Sequence, residues 1–316
     1  MRFRTLVASL ATAAVALAAT TAWRVSAREK AALAAHPPTG QFVLVDGAKV
    51  HVQVQGTGPD LVLIHGANGS LREFTLGLAD RLADRYRVIM VDRPGLGHSD
   101  PLPRGQTSVA AQANRLRATV AQLGVTTPLV LGQSYGGAVA LAWALQERPA
   151  ALVLVSGVAM PWPGKLDPWY RATDTALGRH LLIPLAAAFV PESYVRRSIE
   201  GVFAPQSPPA GYADHIGVDF TLRRSSLGNN VDQLNNLRPE MVQMQPHYPT
   251  LDLPIEVIHG DADTIVPLQI HARPLSELVP QANLTVLAGA GHMPHHTHPD
   301  AVIAAIDRAA NRSGLR

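Results

Sequence analysis

The chain has 316 residues, 47% apolar and 16% charged, which is too apolar and too weakly charged for a disordered protein and enough to bury a sizeable core. The net charge of +3 is concentrated at one end: residues 1–30 carry five basic side chains against Glu29, a net of +4, so the remainder is near −1 and offers no broad face for nucleic acid, which is not expected as a partner. With no cysteine, disulfides, thiolate metal sites and a cysteine nucleophile are excluded, while the redox compartment stays open.

At the N-terminus Arg2 and Arg4 precede an uncharged Ala- and Val-rich stretch from Thr5 to Trp23, followed by Arg24, Arg28 and Lys30. A helix needs roughly 20 apolar residues to cross a bilayer. The stretch is therefore expected to anchor the protein in a membrane, with the rest of the chain extracytoplasmic. The alternative is a signal peptide cleaved at the small residues of Val25-Ser26-Ala27, leaving a secreted or periplasmic protein. Positive charge on both flanks gives orientation no clean vote. Residues 1–40 are assigned to this segment and a Pro-containing linker from Ala32 to Gly40.

Then comes a hairpin, Phe42–Val45 and Val50–Val54 about an Asp46-Gly47 turn, because Asp-Gly accepts the positive φ of tight hairpins. Continuous apolar runs at Leu61–Ile64, Val88–Val91, Leu129–Leu131 and Leu152–Val155 suit strands buried on both faces of a parallel sheet. Helical spacing lies between them at Leu76–Tyr86, Ser108–Leu123 and Ala138–Gln146, giving a β-α-β-α order. From about Pro161 to Pro249 strand patterning stops and a mostly helical insertion is expected. Strands resume at Ile255–Ile258 and Leu284–Leu287, and a last helix covers about Pro299–Asn311. The expected domains are a core of 41–160 with 250–316, interrupted by a helical cap at 161–249.

Gly132-Gln133-Ser134-Tyr135-Gly136 follows a buried strand and opens a helix, the context of a G-x-S-x-G nucleophile elbow. Small neighbours let strand and helix approach closely while Ser134 projects above the sheet, and the N–H of Tyr135, at the helix N-terminus, points where an oxyanion would form. A serine needs a base and an orienting acid. Gly260-Asp261-Ala262-Asp263 places a carboxylate after one strand, and His292 follows the last, both at the strand ends where open α/β sheets put their sites. The order Ser, Asp, His is that of α/β hydrolases. A second oxyanion donor is expected from His65-Gly66-Ala67-Asn68-Gly69-Ser70, with the backbone of Ala67 as donor.

These motifs resemble the α/β-hydrolase superfamily, in the branch with a helical cap after the sixth strand. His65-Gly66 is similar to its HG oxyanion turn, Asp92 to Ser99 to its D-x-x-G-x-G-x-S segment, Gly132 to Gly136 to its elbow, His259 to Pro267 to its HG-x-x-D-x-x-V-P acid loop, and Gly291-His292 to its G-H base. The resemblance implies a mostly parallel eight-stranded sheet flanked by helices, a Ser134-Asp263-His292 triad with Asp261 as a loop residue, and no cofactor or metal. Asp92 and Arg93 are expected to tie their loop by an ion pair and hydrogen bonds rather than take part in chemistry, Trp162 and Trp169 to pack, and His295, His296 and His298, lacking a well-spaced carboxylate, not to bind metal. The expected reaction is acyl-enzyme hydrolysis of a small or medium apolar ester. Carbon–carbon hydrolases and cofactor-free haloperoxidases use the same triad, and a non-catalytic, membrane-tethered binding protein is the alternative from another class. Oligomeric state is not legible.

Overall fold

The computed structural model describes residues 2–316, with the side chains of Arg2 and Arg4 outside the described part, so the basic flank expected there rests on sequence alone. Eight strands, β1 (Gln41–Val45), β2 (Ala48–Gln55), β3 (Asp60–Ile64), β4 (Arg87–Val91), β5 (Leu129–Gln133), β6 (Ala151–Val155), β7 (Ile255–Gly260) and β8 (Ala282–Leu287), form one sheet in the order β1-β2-β4-β3-β5-β6-β7-β8. β1 and β2 join antiparallel; from β4 to β8 every pairing is parallel. This is the mostly parallel sheet expected. The Asp46-Gly47 hairpin closes with φ of +50° and +77°.

Because side chains alternate across a strand, β3 feeds two cores: Val62 and Ile64 pack on one face with the helices α4 (Val109–Ala121) and α5 (Tyr135–Gln146), and Leu61 and Leu63 on the other. That second face is covered by α2 (Arg72–Thr75), α3 (Leu78–Ala83) and the C-terminal helix (Pro299–Arg312). The single helix expected over Leu76–Tyr86 is shorter, because Gly77 with φ of +92° separates α2 from α3.

Between β6 and β7 lie α6 (Pro168–Thr173), a π-turn (Gly178–Leu182) leading into α7 (Ile183–Phe189), α8 (Glu192–Phe203), α9 (Tyr212–Ile216), α10 (Val218–Thr221) and α11 (Arg224–Met244). Three helices follow β7: α12 (Ala272–Leu278), α13 (Pro294–Thr297) and α14, the C-terminal helix.

The N-terminal stretch is one helix, α1 (Arg2–Ala35), long and apolar enough to cross a membrane by length and composition. It extends further than expected, taking Ala32–Ala35 out of the linker. The reason is tertiary. Its outer half is exposed, but Thr21, Val25 and Ala32 are buried, and Val25 packs with Ile183, Ala187, Leu227 and Val231. Arg24 Nε and Arg28 Nη1 donate to the carbonyls of Ala188 and Val190, satisfying acceptors that the end of α7 would leave open.

Candidate active site

Ser134 stands between β5 and α5 with φ of +52° and ψ of −120°, a conformation that non-glycine residues reach only at a cost of about 1–3 kcal/mol. Strand and helix approach so closely here that the flanking positions require glycine. A Cβ on Gly132 would lie 2.2 Å from the Gly136 carbonyl oxygen, and one on Gly136 would lie 2.2 Å from that of Ile64. The strained turn aims Ser134 off the C-terminal edge of the sheet.

Since the central strands are parallel, the loops after β3, β5, β7 and β8 emerge at that same edge, and the chemistry spread over the sequence converges there. His292 Nε2 is 3.0 Å from Ser134 Oγ, and His292 Nδ1 is 2.8 Å from Asp263 Oδ2. A carboxylate can only accept, so Nδ1 carries the imidazole proton and Nε2 keeps its lone pair toward the serine. Asp263 Oδ1 accepts from the N–H groups of Ile265 and Val266, both at 2.9 Å, and His259 Nε2 adds a contact 3.3 Å from Oδ2. Burial would raise the Asp263 pKa, but the hydrogen bonds from His259, His292 and the Val266 backbone outweigh it and hold the carboxyl well below its usual range. Asp261 lies on the exposed loop, bonded to the Gly289 N–H, and does not reach His292.

A trans peptide points its N–H opposite its C=O. The Ser134 carbonyl accepts from the N–H groups of Gly137 and Val158, so the Tyr135 N–H faces away from both, outward from the helix start. The Gly66 carbonyl accepts from Arg93 Nη2 at 2.8 Å, so the Ala67 N–H faces away from Arg93. Arg93 also donates from Nε to the His65 carbonyl, and His65, whose pKa burial lowers to about 4, accepts the Arg93 N–H at Nε2.

Ser134 and His292 open into a cavity of about 360 Å³. Its walls come from the 66–70 loop on one side and, on the other, from the segment between β6 and β7, through Tyr170, Val195, Ile199, Val202, Phe203 and Val218. Among the described residues no lysine or arginine lines it, and Glu73 is its one carboxylate.

The sequence profile described as the alpha/beta hydrolase fold matches residues 59–299. The chain belongs to the α/β-hydrolase fold family. It is 30% identical over 267 residues to a pimeloyl-[acyl-carrier protein] methyl ester esterase of Aeromonas salmonicida, covering 79% of this chain and 94% of that one. It is 28% identical over 280 residues to a 2-hydroxymuconate semialdehyde hydrolase of Pseudomonas putida, covering 84% and 91%. The crystal structure of an esterase from a Rhodococcus species superposes with a TM-score of 0.64 at 25% identity, covering 85% and 97%. The protein is a hydrolase enzyme.

Three features of this hydrolase escape its sequence. The ion pair expected between Arg93 and Asp92 does not form, although both residues tie loops by hydrogen bonds; fully buried, Arg93 spends its donors on the His65 and Gly66 carbonyls and on the Gln112 and Gln233 side chains, and burial lowers its pKa to about 10. Asp92 pairs instead with His51 Nδ1 at 2.7 Å and accepts the N–H groups of Leu71 and His98. Asn230 of α11 accepts the Asn68 N–H at 2.7 Å, tying the 66–70 loop to the segment that covers it. The third is a carboxylate partner for the histidine cluster: Glu73 Oε1 lies 3.0 Å from His295 Nε2 and 2.6 Å from His296 Nε2, and Tyr212 Oη donates to both carboxylate oxygens. No local pattern links residues 222 positions apart.

Among the described residues, Glu73, His295 and His296 are the one group that could offer three metal ligands, all within 4.8 Å of each other. The surroundings suit a hydrogen-bonded carboxylate better. A metal-bound histidine ordinarily donates its second ring N–H to a partner, and the buried His295 Nδ1 has none.

Proposed function

We propose that the enzyme is a serine hydrolase that cleaves a small or medium apolar ester through an acyl-enzyme. His292 takes the Ser134 proton as the hydroxyl attacks the carbonyl, and Asp263 holds the imidazole in the required tautomer and stabilises its protonated form. The N–H groups of Ala67 and Tyr135 receive the oxyanion. His292 then protonates the leaving group, and water repeats the cycle on the acyl-enzyme. Residues 161–249 act as the cap over the pocket, and residues 5–23 of α1 anchor the enzyme in a membrane with its body extracytoplasmic. A cleaved signal fits less well, because Val25, at the candidate cleavage site, is wholly buried.

The observation that carries this reading is the Ser134–His292–Asp263 chain of hydrogen bonds opening into an apolar pocket. The carbon–carbon hydrolase alternative draws on the Pseudomonas putida relative, whose named substrate is a carboxylate. A pocket lined by Glu73 and, among the described residues, by no lysine or arginine favours a neutral ester over an anion. The deciding experiment is labelling of the full chain by a fluorophosphonate, on wild type and on Ser134→Ala, His292→Ala and Asp263→Asn, followed by p-nitrophenyl esters of rising chain length. Labelling lost with Ser134 supports the reading. A folded wild type that neither labels nor turns over any ester would sink it and promote a binding role.

A further inference from the structure

We propose that the outer face of the helical segment around α7, presented by Leu177, Leu181 and Phe189, sits in the surface of a lipid bilayer beside α1, so that the pocket meets its substrate at the membrane–water interface. This rests on reading α1 as an anchor, and it assigns to the segment between β6 and β7 a second partner besides the substrate.

Arg24 bonds the Ala188 carbonyl and Arg28, one turn later, bonds that of Val190, so α1 and α7 run in the same sense along their contact. Residues before Phe189 therefore lie beside residues before Arg24, on the side where α1 becomes wholly exposed and apolar. Phe189 marks the level of the boundary: its ring lies 4.9 Å beneath the Arg24 guanidinium, next in sequence to Trp23, which is 70% exposed. A tryptophan flanked by arginine at the end of an apolar helix suits the headgroup region.

From Phe189 back to Leu181 the helix travels about 12 Å toward the bilayer side. Leu177 and Leu181, one turn apart and hence on one face, are 73% and 45% exposed. Arg179, the one permanently charged side chain between them, is bonded to Asp174 and Asp232. Large apolar side chains left bare next to a candidate span are accounted for if lipid covers them.

The pocket is close to this surface. Tyr170 packs against the Val25–Ile183 cluster and also lines the cavity, and α10, whose Val218 and Thr221 line it, is braced by Arg28 of α1 through Asp219 and by His36, just past the end of α1, whose ring lies 6.0 Å from that of Phe220. One layer of side chains thus separates the docked half of α1 from the substrate cavity.

The absence of cysteine allows single-site labelling of the full chain. Leu10→Cys, Leu177→Cys, Leu181→Cys, Val242→Cys and Val286→Cys, each carrying an environment-sensitive fluorophore, are reconstituted in phosphatidylcholine vesicles with and without doxyl-labelled lipid. We expect lipid quenching at positions 10, 177 and 181 and none at 242 and 286. Quenching at 10 alone overturns the proposal and leaves the anchor standing. No quenching even at 10 removes the anchor reading, and this proposal with it. Shielding at 177 and 181 from an aqueous quencher that grows with protein per vesicle, without lipid quenching, identifies a second copy and overturns it as well. In parallel, the doubly substituted Leu177→Glu, Leu181→Glu enzyme should lose roughly tenfold of its turnover of an ester dispersed in those vesicles and keep its turnover of a soluble one; equal effects on both would count against the proposal.

Discussion

The Arg93 guanidinium and the Ala67 N–H face opposite sides of a single peptide group, the one whose carbonyl belongs to Gly66. That relationship makes a fully buried arginine, which touches no substrate, the element that aims the proposed oxyanion donor. Arg93→Lys keeps the charge but cannot reach the His65 and Gly66 carbonyls and two glutamines together. It should lower kcat by about 10- to 100-fold with a smaller change in KM, since one oxyanion donor is worth about 10²- to 10³-fold. Arg93→Met should in addition cost about 3–5 kcal/mol, because several buried acceptors lose their donor. Steady-state kinetics on a p-nitrophenyl ester and urea unfolding separate the two effects.

Asp263 serves two purposes through different oxygens, and a conservative change splits them. The side chain introduced by Asp263→Asn keeps one oxygen for the Ile265 and Val266 N–H groups but presents an amide to His292, favouring the wrong tautomer. The expected loss in kcat is about 10³- to 10⁴-fold, with the near-ultraviolet circular dichroism of the folded enzyme retained. A variant within tenfold of wild type would remove Asp263 from the proposed mechanism.

The outline of the sheet and the positions of Ser134, Asp263 and His292 could be read along the chain because each follows a buried strand that ends at one edge, and strands betray themselves by local pattern. Which of two nearby aspartates meets His292 came from motif resemblance; in space, the two N–H groups of Ile265 and Val266 hold Asp263 inward while Asp261 turns to Gly289. The true partner of Arg93, the Asn230 clasp on Asn68 and the Glu73 cluster stayed hidden for a common reason. Each is a contact between groups brought together only by the tertiary fold, and no local spacing rule reaches them. The docking of α1 was invisible for the reverse reason, since an apolar helix reads alike whether lipid or protein covers it.

Glu73, which lines the pocket, and its partner His295 make the fold sensitive to acid. Burial would raise the Glu73 pKa, but hydrogen bonds from His295 and His296 hold it well below the ordinary 4.5, while burial lowers His295 from 6.5 to about 4. Both groups have folded pKa values below their unfolded ones, so both contribute stability that is complete at higher pH and lost on acidification. For His295 the loss begins as pH falls through 6.5, and for Glu73 below 4.5. Glu73→Gln should cost about 2–3 kcal/mol at pH 7, the scale of hydrogen bonds to a charged group, and its deficit against wild type should shrink as pH drops below 4.5. Urea midpoints measured from pH 7 to 3.5 test the sign: a deficit that widens with acid would contradict the assignment.

Val25 tests whether the inner half of α1 belongs to the folded body. It is wholly buried with Ile183, Ala187, Leu227 and Val231, and the arginines on either side of it close the end of α7. A carboxylate there would have no partner, and burying one unpaired costs several kcal/mol. Val25→Asp should therefore lower Tm by several degrees or drive the segment around α7 apart. Val15→Asp, ten residues earlier on the exposed half, should leave Tm in detergent unchanged, since Val15 is 69% exposed. Should the two substitutions prove equally harmless, α1 would be only a tether, and cleavage at Val25-Ser26-Ala27 would again be compatible with a stable enzyme.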